Sequence, residues 1–416
     1  MKRIIAAVPM FLFIVWATAF VGIKSVQAQE RGERHGTQEQ QNLPQKGRDF
    51  GRLKLPPIEG AAHGDAAAGQ LAPAQLAPGV ILPGNSVPLF FSNNPFPLAM
   101  VGTDPSIPGA GETDVPVLII PLRLNFIDAN GNLVASISPN NFGCNDNQSV
   151  LSRVANSPLF VGVNWTEGGT VVGVNTQFTD AFQRANFWTF TNPGSVSPNY
   201  HVLLTPVQIL PEVTVPVTPG LAVLANGVCP GNPIAAVNQQ YLDGVVQTLI
   251  NALNIPPTVL PLFLTYDIGE TVNGGCCFLG YHQVAAQNPF NPGVFTYAVS
   301  SYVDPNVNQA FGIPLAVSDI SILSHELGEW MDDPLGNNIV PRGWRGVGQA
   351  TGCQTLLEVG DPLTGTNSNV FMADGTIYTV QDLAFFSWFA RQNPSIAVNG
   401  WYSTLNSFPT FSVPCL

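Results

Sequence analysis

Residues 318–334 read SDISILSHELGEWMDDP. At 3.6 residues per turn, Ile320, Leu323, Leu327, Trp330 and Met331 gather on one side. His325, Glu329 and Asp332 fall on the opposite side, flanked by Glu326 and Asp333. The pattern predicts a helix with one apolar face for a core and one face of acids carrying a single imidazole. Ser318 or Asp319 is placed to cap its start, its side-chain oxygen accepting from first-turn N–H groups. Pro334 stops it, because proline lacks an N–H and restricts the residue before it. Only 10% of the chain is charged, so this concentration of ionisable groups needs a reason.

Outward from the helix, the chain reads as interleaved strands and helices. Residues 115–127 (VPVLIIPLRLNFI) form a strong apolar run, whose Pro116 and Pro121 point to an edge strand or a bend. Asn130-Gly131 is a hairpin signal, with a return at 133–137. Short helices are expected at 149–155 and 178–187, and a proline-broken strand at 201–217. Residues 235–253 have apolar spacing for a second long helix. Strands are expected at 258–266 and 294–302, just before the 318–333 helix. Strands and turns follow it, with a short helix near 381–391. The order predicts an α+β (mixed α/β) fold, in which a twisted mixed sheet carries one backing helix and one site helix. The domains would be 85–333 and a smaller C-terminal lobe, 334–416, across a cleft.

The N-terminus resembles a secretory signal. Lys2 and Arg3 precede an apolar run, and Val26-x-Ala28 marks a cut after residue 28. The alternative is an uncleaved signal anchor. Residues 29–84 are polar, then rich in Ala, Pro and Gly, with QLAP at 70–73 and again at 75–78. That composition suits a pro-segment or linker. Residues 1–56 hold nine of the fifteen Lys and Arg, leaving 57–416 with 6 basic and 23 acidic residues. So acidic a body disfavours nucleic acid as a partner and permits cations. No later run is long and apolar enough to span a bilayer. The expected location is secreted, extracellular or periplasmic. The six cysteines are then expected in disulfides. Cys353–Cys415 is the first pairing to test. Adjacent Cys276 and Cys277 are expected to pair with distant partners, or alternatively to join His282 in a metal site.

His325 and Glu329, at i and i+4, can chelate one ion. Glu326 sits beside that pair, where a general base belongs. A third ligand comes from Glu358 or Asp361, in the Gly-containing segment Glu358-Val-Gly-Asp361. Imidazole favours Zn2+, and the many carboxylates keep Ca2+ as the alternative. His282, in the Gly-flanked LGYHQ run at 279–283, is a weaker candidate. Asp332 and Asp333 are expected to orient His325 or Arg342. The bland alternative is a solvated acidic helix face with His325 at its edge.

SHELGE at 324–329 resembles the zincin metallopeptidase helix, whose core is His-Glu-x-x-His. The wider pattern of SHELGE, Asp333-Pro334 and Glu358-Val-Gly-Asp361 is similar to the phosphate-induced, EXORDIUM-like secreted proteins. The similarity spans residues 290–390. It implies a zincin-like fold and a secreted metal-binding protein, with Glu329 standing where zincins carry their second histidine. Two functions follow as expectations: a zinc-dependent peptidase or hydrolase acting on a peptide or protein substrate, or a non-catalytic extracellular or wall-associated protein with a structural metal.

Overall fold

The apolar run at 115–127 becomes the centre of the main sheet. The computed structural model describes residues 86–144, 146–227, 229, 232–272, 275–285, 293–312 and 315–415. The expected signal peptide (1–28) and linker (29–84) lie outside the described residues. The strand Glu112–Ile127 is long enough to serve two partners on each edge. His201–Ile209 and then Val213–Val217 pair with it in parallel on one edge. Leu260–Tyr266 pairs in parallel and Leu133–Ile137 antiparallel on the other. Thr296–Tyr302 extends the sheet in parallel, and Gly280–Val284 ends it as an antiparallel strand.

Pro116 and Pro121 suggested an edge or a bend, yet this strand is central. Each proline sits where the ladder demands little of an N–H. The register with His201–Ile209 shifts between Val115 and Val117, which leaves Pro116 in the irregularity. Pro121 lies where the pairing with Leu260–Tyr266 ends and that with Val213–Val217 begins. Central prolines are tolerated at such breaks.

A second, four-stranded sheet is ordered Gly275–Phe278, Ile268–Val272, Pro233–Asn238, Ala222–Asn226. Residues 235–238, expected as helix, belong to it. The helix Gln239–Ala252 starts only after Asn238, whose side chain accepts from the Tyr241 N–H at 3.0 Å. It buries Leu242, Val246 and Ile250 against this second sheet. The class is mixed α+β, as expected.

The site helix spans Ser321–Asp332, and all its residues are buried. It packs on Thr296–Tyr302, Gly280–Val284, Ile377–Gln381 and the buried helix Phe178–Asn186. Neither expected cap is used. Ile320 holds the cap position without a side-chain bond. Asp319, at φ +58°, turns its carboxylate to the Thr379 N–H at 2.8 Å and to Arg153 at 3.4 Å. At the other end Asp333 leaves helical geometry, and its carboxylate accepts from the N–H groups of Asn337 and Asn338, both at 2.9 Å.

The cysteines pair as Cys144–Cys229, Cys276–Cys277 and Cys353–Cys415. The last agrees with expectation. Cys276 and Cys277 do not face the distant partners expected for them, since the other four cysteines pair among themselves. The two adjacent residues are buried side by side in a small cluster with Ile234, Phe311 and Ile322, and the ligand atoms gathered at His282 are those of Glu326 and Glu329 rather than these sulfurs. Among the described residues no helix is long and apolar enough to cross a membrane.

Candidate metal centre

The acidic face of the site helix does not meet water. His325, Glu326 and Glu329 are each no more than 5% exposed. Residues 357–361 and the strand Ile377–Gln381 cover the face that the helical wheel opposed to the core, so the solvated-face alternative fails. The covering residues bring ligands. His325 Nε2 lies 3.2 Å from Glu329 Oε2 and 3.8 Å from Asp361 Oδ1. Those three side chains, from two segments of the chain, offer ligand atoms within 4.8 Å of one another. Neighbouring ligand atoms around a tetrahedral zinc are about 3.3 Å apart at bond lengths near 2.0–2.1 Å.

Hydrogen bonds fix the tautomer of His325. Gln381 donates its Nε2 to the Gly360 carbonyl at 2.7 Å, so its Oε1 faces His325 Nδ1, 3.2 Å away, as an acceptor. Nδ1 therefore carries a hydrogen in either charge state, and Nε2 faces the carboxylates, with a proton when the ring is charged and a lone pair when it is neutral. An imidazole set this way is prepared to ligate a metal. The Gln381 N–H donates to Ser324 Oγ at 2.9 Å, which ties that strand to the helix. Glu329 Oε1 accepts from the N–H groups of Gly360 and Asp361 at 3.1 and 3.2 Å, leaving Oε2 to face the ring. Gln349 donates to Asp361 Oδ1.

Two glycines of the motifs make this closeness possible. A side-chain carbon on Gly360 would stand 2.6 Å from His325 Nδ1. One on Gly328 would stand 2.5 Å from the Leu383 side chain. A third glycine, Gly280, lies against Glu326, where an added carbon would be 2.7 Å from its Cγ.

His282, the weaker candidate from sequence, stands at the centre. It lies on the antiparallel end strand, its ring buried, with Nδ1 3.6 Å from Glu326 Oε2 and 3.9 Å from Glu329 Oε2. Its Nε2 is 3.1 Å from the Asp333 carbonyl, which can only accept, so Nε2 carries the hydrogen. Thus Asp333 orients His282 through its backbone rather than orienting His325 through its carboxylate. Asp332 is engaged by Gln183. Arg342 lies exposed at φ +64° on the strand Ile339–Arg345, and its charge falls on Arg391. Glu358 is half-buried, and its charge reaches His282.

The electrostatics ask for positive charge here. Burial disfavours a charged His325, yet Glu329, Glu326 and Gln381 outweigh it and push the ring up to about 9. Against the same burial, Glu326, Glu358 and Glu329 carry His282 up to about 10. Burial raises Glu326 above the usual carboxylate range, opposed by both histidines. Glu270, a buried carboxyl within reach of the charge of Glu326, is raised well above that range by burial and by the charges of Asp243 and Glu326. Sequence reasoning missed Gln349, Gln381 and Glu270. Each reaches the site from a separate strand or loop, and no spacing marks them.

No protein-family model matches the chain, and searches of curated proteins and of solved structures likewise return no match.

Proposed function

We propose that this is a secreted, zincin-like metalloprotein in which His325, Glu329 and Asp361 hold a divalent cation, zinc before calcium, for hydrolysis of a peptide bond. The observation that carries the reading is the convergence of His325 Nε2, Glu329 Oε2 and Asp361 Oδ1 inside the protein, with the histidine tautomer already chosen. A buried imidazole lone pair facing two carboxylates is repulsive unless a proton or a metal lies between them. An antiparallel strand beside a His-Glu-x-x-Glu helix, on a mixed sheet, is consistent with the zincin resemblance.

A divalent cation would supply Lewis acidity, polarising a carbonyl and acidifying water. The chain's own part falls to Glu326. Its Oε1 is 4.0 Å from His325 Nε2, beside the ligand set, so it can accept a proton from water and pass it to a leaving amine. Burial brings its proton affinity closer to neutrality, which suits that exchange. Glu329 is unsuited to the same task, since its carboxylate is committed to the ring and to two N–H groups. Glu326→Gln keeps the shape and removes the base. The zinc held by His325, Glu329 and Asp361 should be retained while cleavage of a peptide library falls by at least ~100-fold. Loss of the zinc held by His325, Glu329 and Asp361 in this variant would make Glu326 a ligand of that ion and overturn its assignment as base.

A second reading is favoured by one observation. All three ligand side chains are at least nine-tenths buried, and that suits a metal kept for stability. Full zinc occupancy with no cleavage of any peptide by wild type would select it.

A further inference from the structure

Glu329 belongs to two ligand groups. One is His325, Glu329 and Asp361, and the other is His282, Glu326 and Glu329. We propose that the site holds two divalent cations bridged by Glu329, the second seated between His282 Nδ1, Glu326 and Glu329. This deepens the metal-centre reading and rests on it.

Three observations support the second seat. His282 Nδ1 is buried and has no hydrogen-bond partner, since 3.6 Å to Glu326 is too long for one. In the neutral ring its tautomer is set by the Asp333 carbonyl, as that of His325 is set by Gln381, so each ring turns the nitrogen that a metal can take towards carboxylates. The nearest approach of both rings to Glu329 is to one atom, Oε2, at 3.2 and 3.9 Å. Two metals in one centre usually lie about 3.5–4 Å apart, a spacing that one carboxylate can bridge.

The charge balance points the same way. Glu326, Glu329, Glu358 and Asp361 bring up to four negative charges into or beside this buried space. The body has six arginines and no lysine beyond residue 54. Four of the six are engaged elsewhere: Arg123 with Glu212, Arg153 with Asp146 and Asp319, and Arg184 and Arg391 with backbone carbonyls. Two divalent cations offset four carboxylates, whereas with one the remaining charge is left to a protonated His282. In a two-metal site Glu326 is a ligand of the second cation whenever that cation is bound, and acts as a base only when the seat is empty. High zinc would then inhibit cleavage.

The test is the stoichiometry of zinc binding to the purified chain, stripped of metal and titrated with Zn2+, read by calorimetry and elemental analysis. Wild type should take up about two equivalents, the second more weakly. His282→Ala should keep about one, and Glu329→Ala should lose both. Far-ultraviolet circular dichroism checks that each variant is folded. Co2+-loaded wild type gives an independent measurement free of substitutions, and two bridged ions should show spin coupling in its electron paramagnetic resonance spectrum. One equivalent in wild type with an uncoupled Co2+ signal overturns the second seat. If His282→Ala then loses that ion, both histidines serve a single cation; if it keeps it, His282 is no ligand. No zinc at all in wild type overturns the metal-centre reading itself.

Discussion

Gly360 shows what the site demands of single residues. Its backbone, at φ −87° and ψ −35°, would accept any L-residue, so only the His325 ring 2.6 Å from a would-be side chain forbids one. Gly360→Ala should leave the fold intact and displace the ring. Zinc affinity should fall roughly 10–100-fold, the scale seen when support for a metal ligand is lost, with little change in melting temperature. Gly328→Ala makes the contrast. It crowds Leu383 rather than a ligand, so it should cost roughly 1–3 kcal/mol of stability and leave zinc affinity near wild type. Urea unfolding and zinc titration of the two variants separate these outcomes; equal effects on both properties would contradict the division of roles. His325, Glu329 and Asp361 were legible from i, i+4 spacing and from a Gly-containing acidic turn. The tautomers of both histidines were not, because Gln381 and the Asp333 carbonyl that fix them carry no signature in sequence.

At the scale of elements, the hairpin Val163–Glu167 and Thr170–Thr176 is clipped to the loop near residue 400. Asn399 donates to the Glu167 carbonyl at 2.8 Å and accepts from Thr170 Oγ1 at 2.8 Å. The Glu167 carboxyl is pushed up to about 8, by burial first and then by the charge of Asp382. A carboxyl raised in the folded state favours the protonated form. Its contribution to stability is therefore full below its unfolded value near 4.5 and is lost as pH rises towards 8. The loss is roughly 1–2 kcal/mol after discounting for partial exposure. Glu167→Gln should flatten that part of the pH–stability curve between pH 5 and 8, measured by chemical denaturation. An unchanged slope would show that Glu167 titrates normally. Strand and helix types were readable from periodicity at 115–127, 178–187 and 318–333. What misled was punctuation: prolines at 116 and 121 mark changes of pairing partner inside one central strand, and residues 235–238 carry apolar spacing that sheet pairing claims before the helix can.

At the scale of the whole molecule, the last residues are held by Cys353–Cys415, whose partners lie 62 apart in sequence with Cα atoms 5.5 Å apart. Closing a loop of that length removes chain entropy worth about 4 kcal/mol from the unfolded state. A Cys353→Ser/Cys415→Ser double variant should therefore be less stable by about 2–4 kcal/mol in urea unfolding, with the metal centre retained. Equal stability would mean that the bond is strained or unformed in the native protein. The same molecule carries −17 net charge over residues 57–416 and buries Glu326, Glu329 and Asp361 beside His282 and His325. That distribution is intelligible if cations complete the interior.

The metal proposed among His325, Glu329 and Asp361 can be looked for in place. The most direct test is an anomalous difference map from crystals of the purified protein, grown without added metal or chelator, with data collected on either side of the zinc absorption edge. The account predicts a peak about 2.0–2.2 Å from His325 Nε2, Glu329 Oε2 and Asp361 Oδ1, present above the edge and absent below it. A featureless map there, with the His325 ring hydrogen-bonded directly to Glu329, would contradict it.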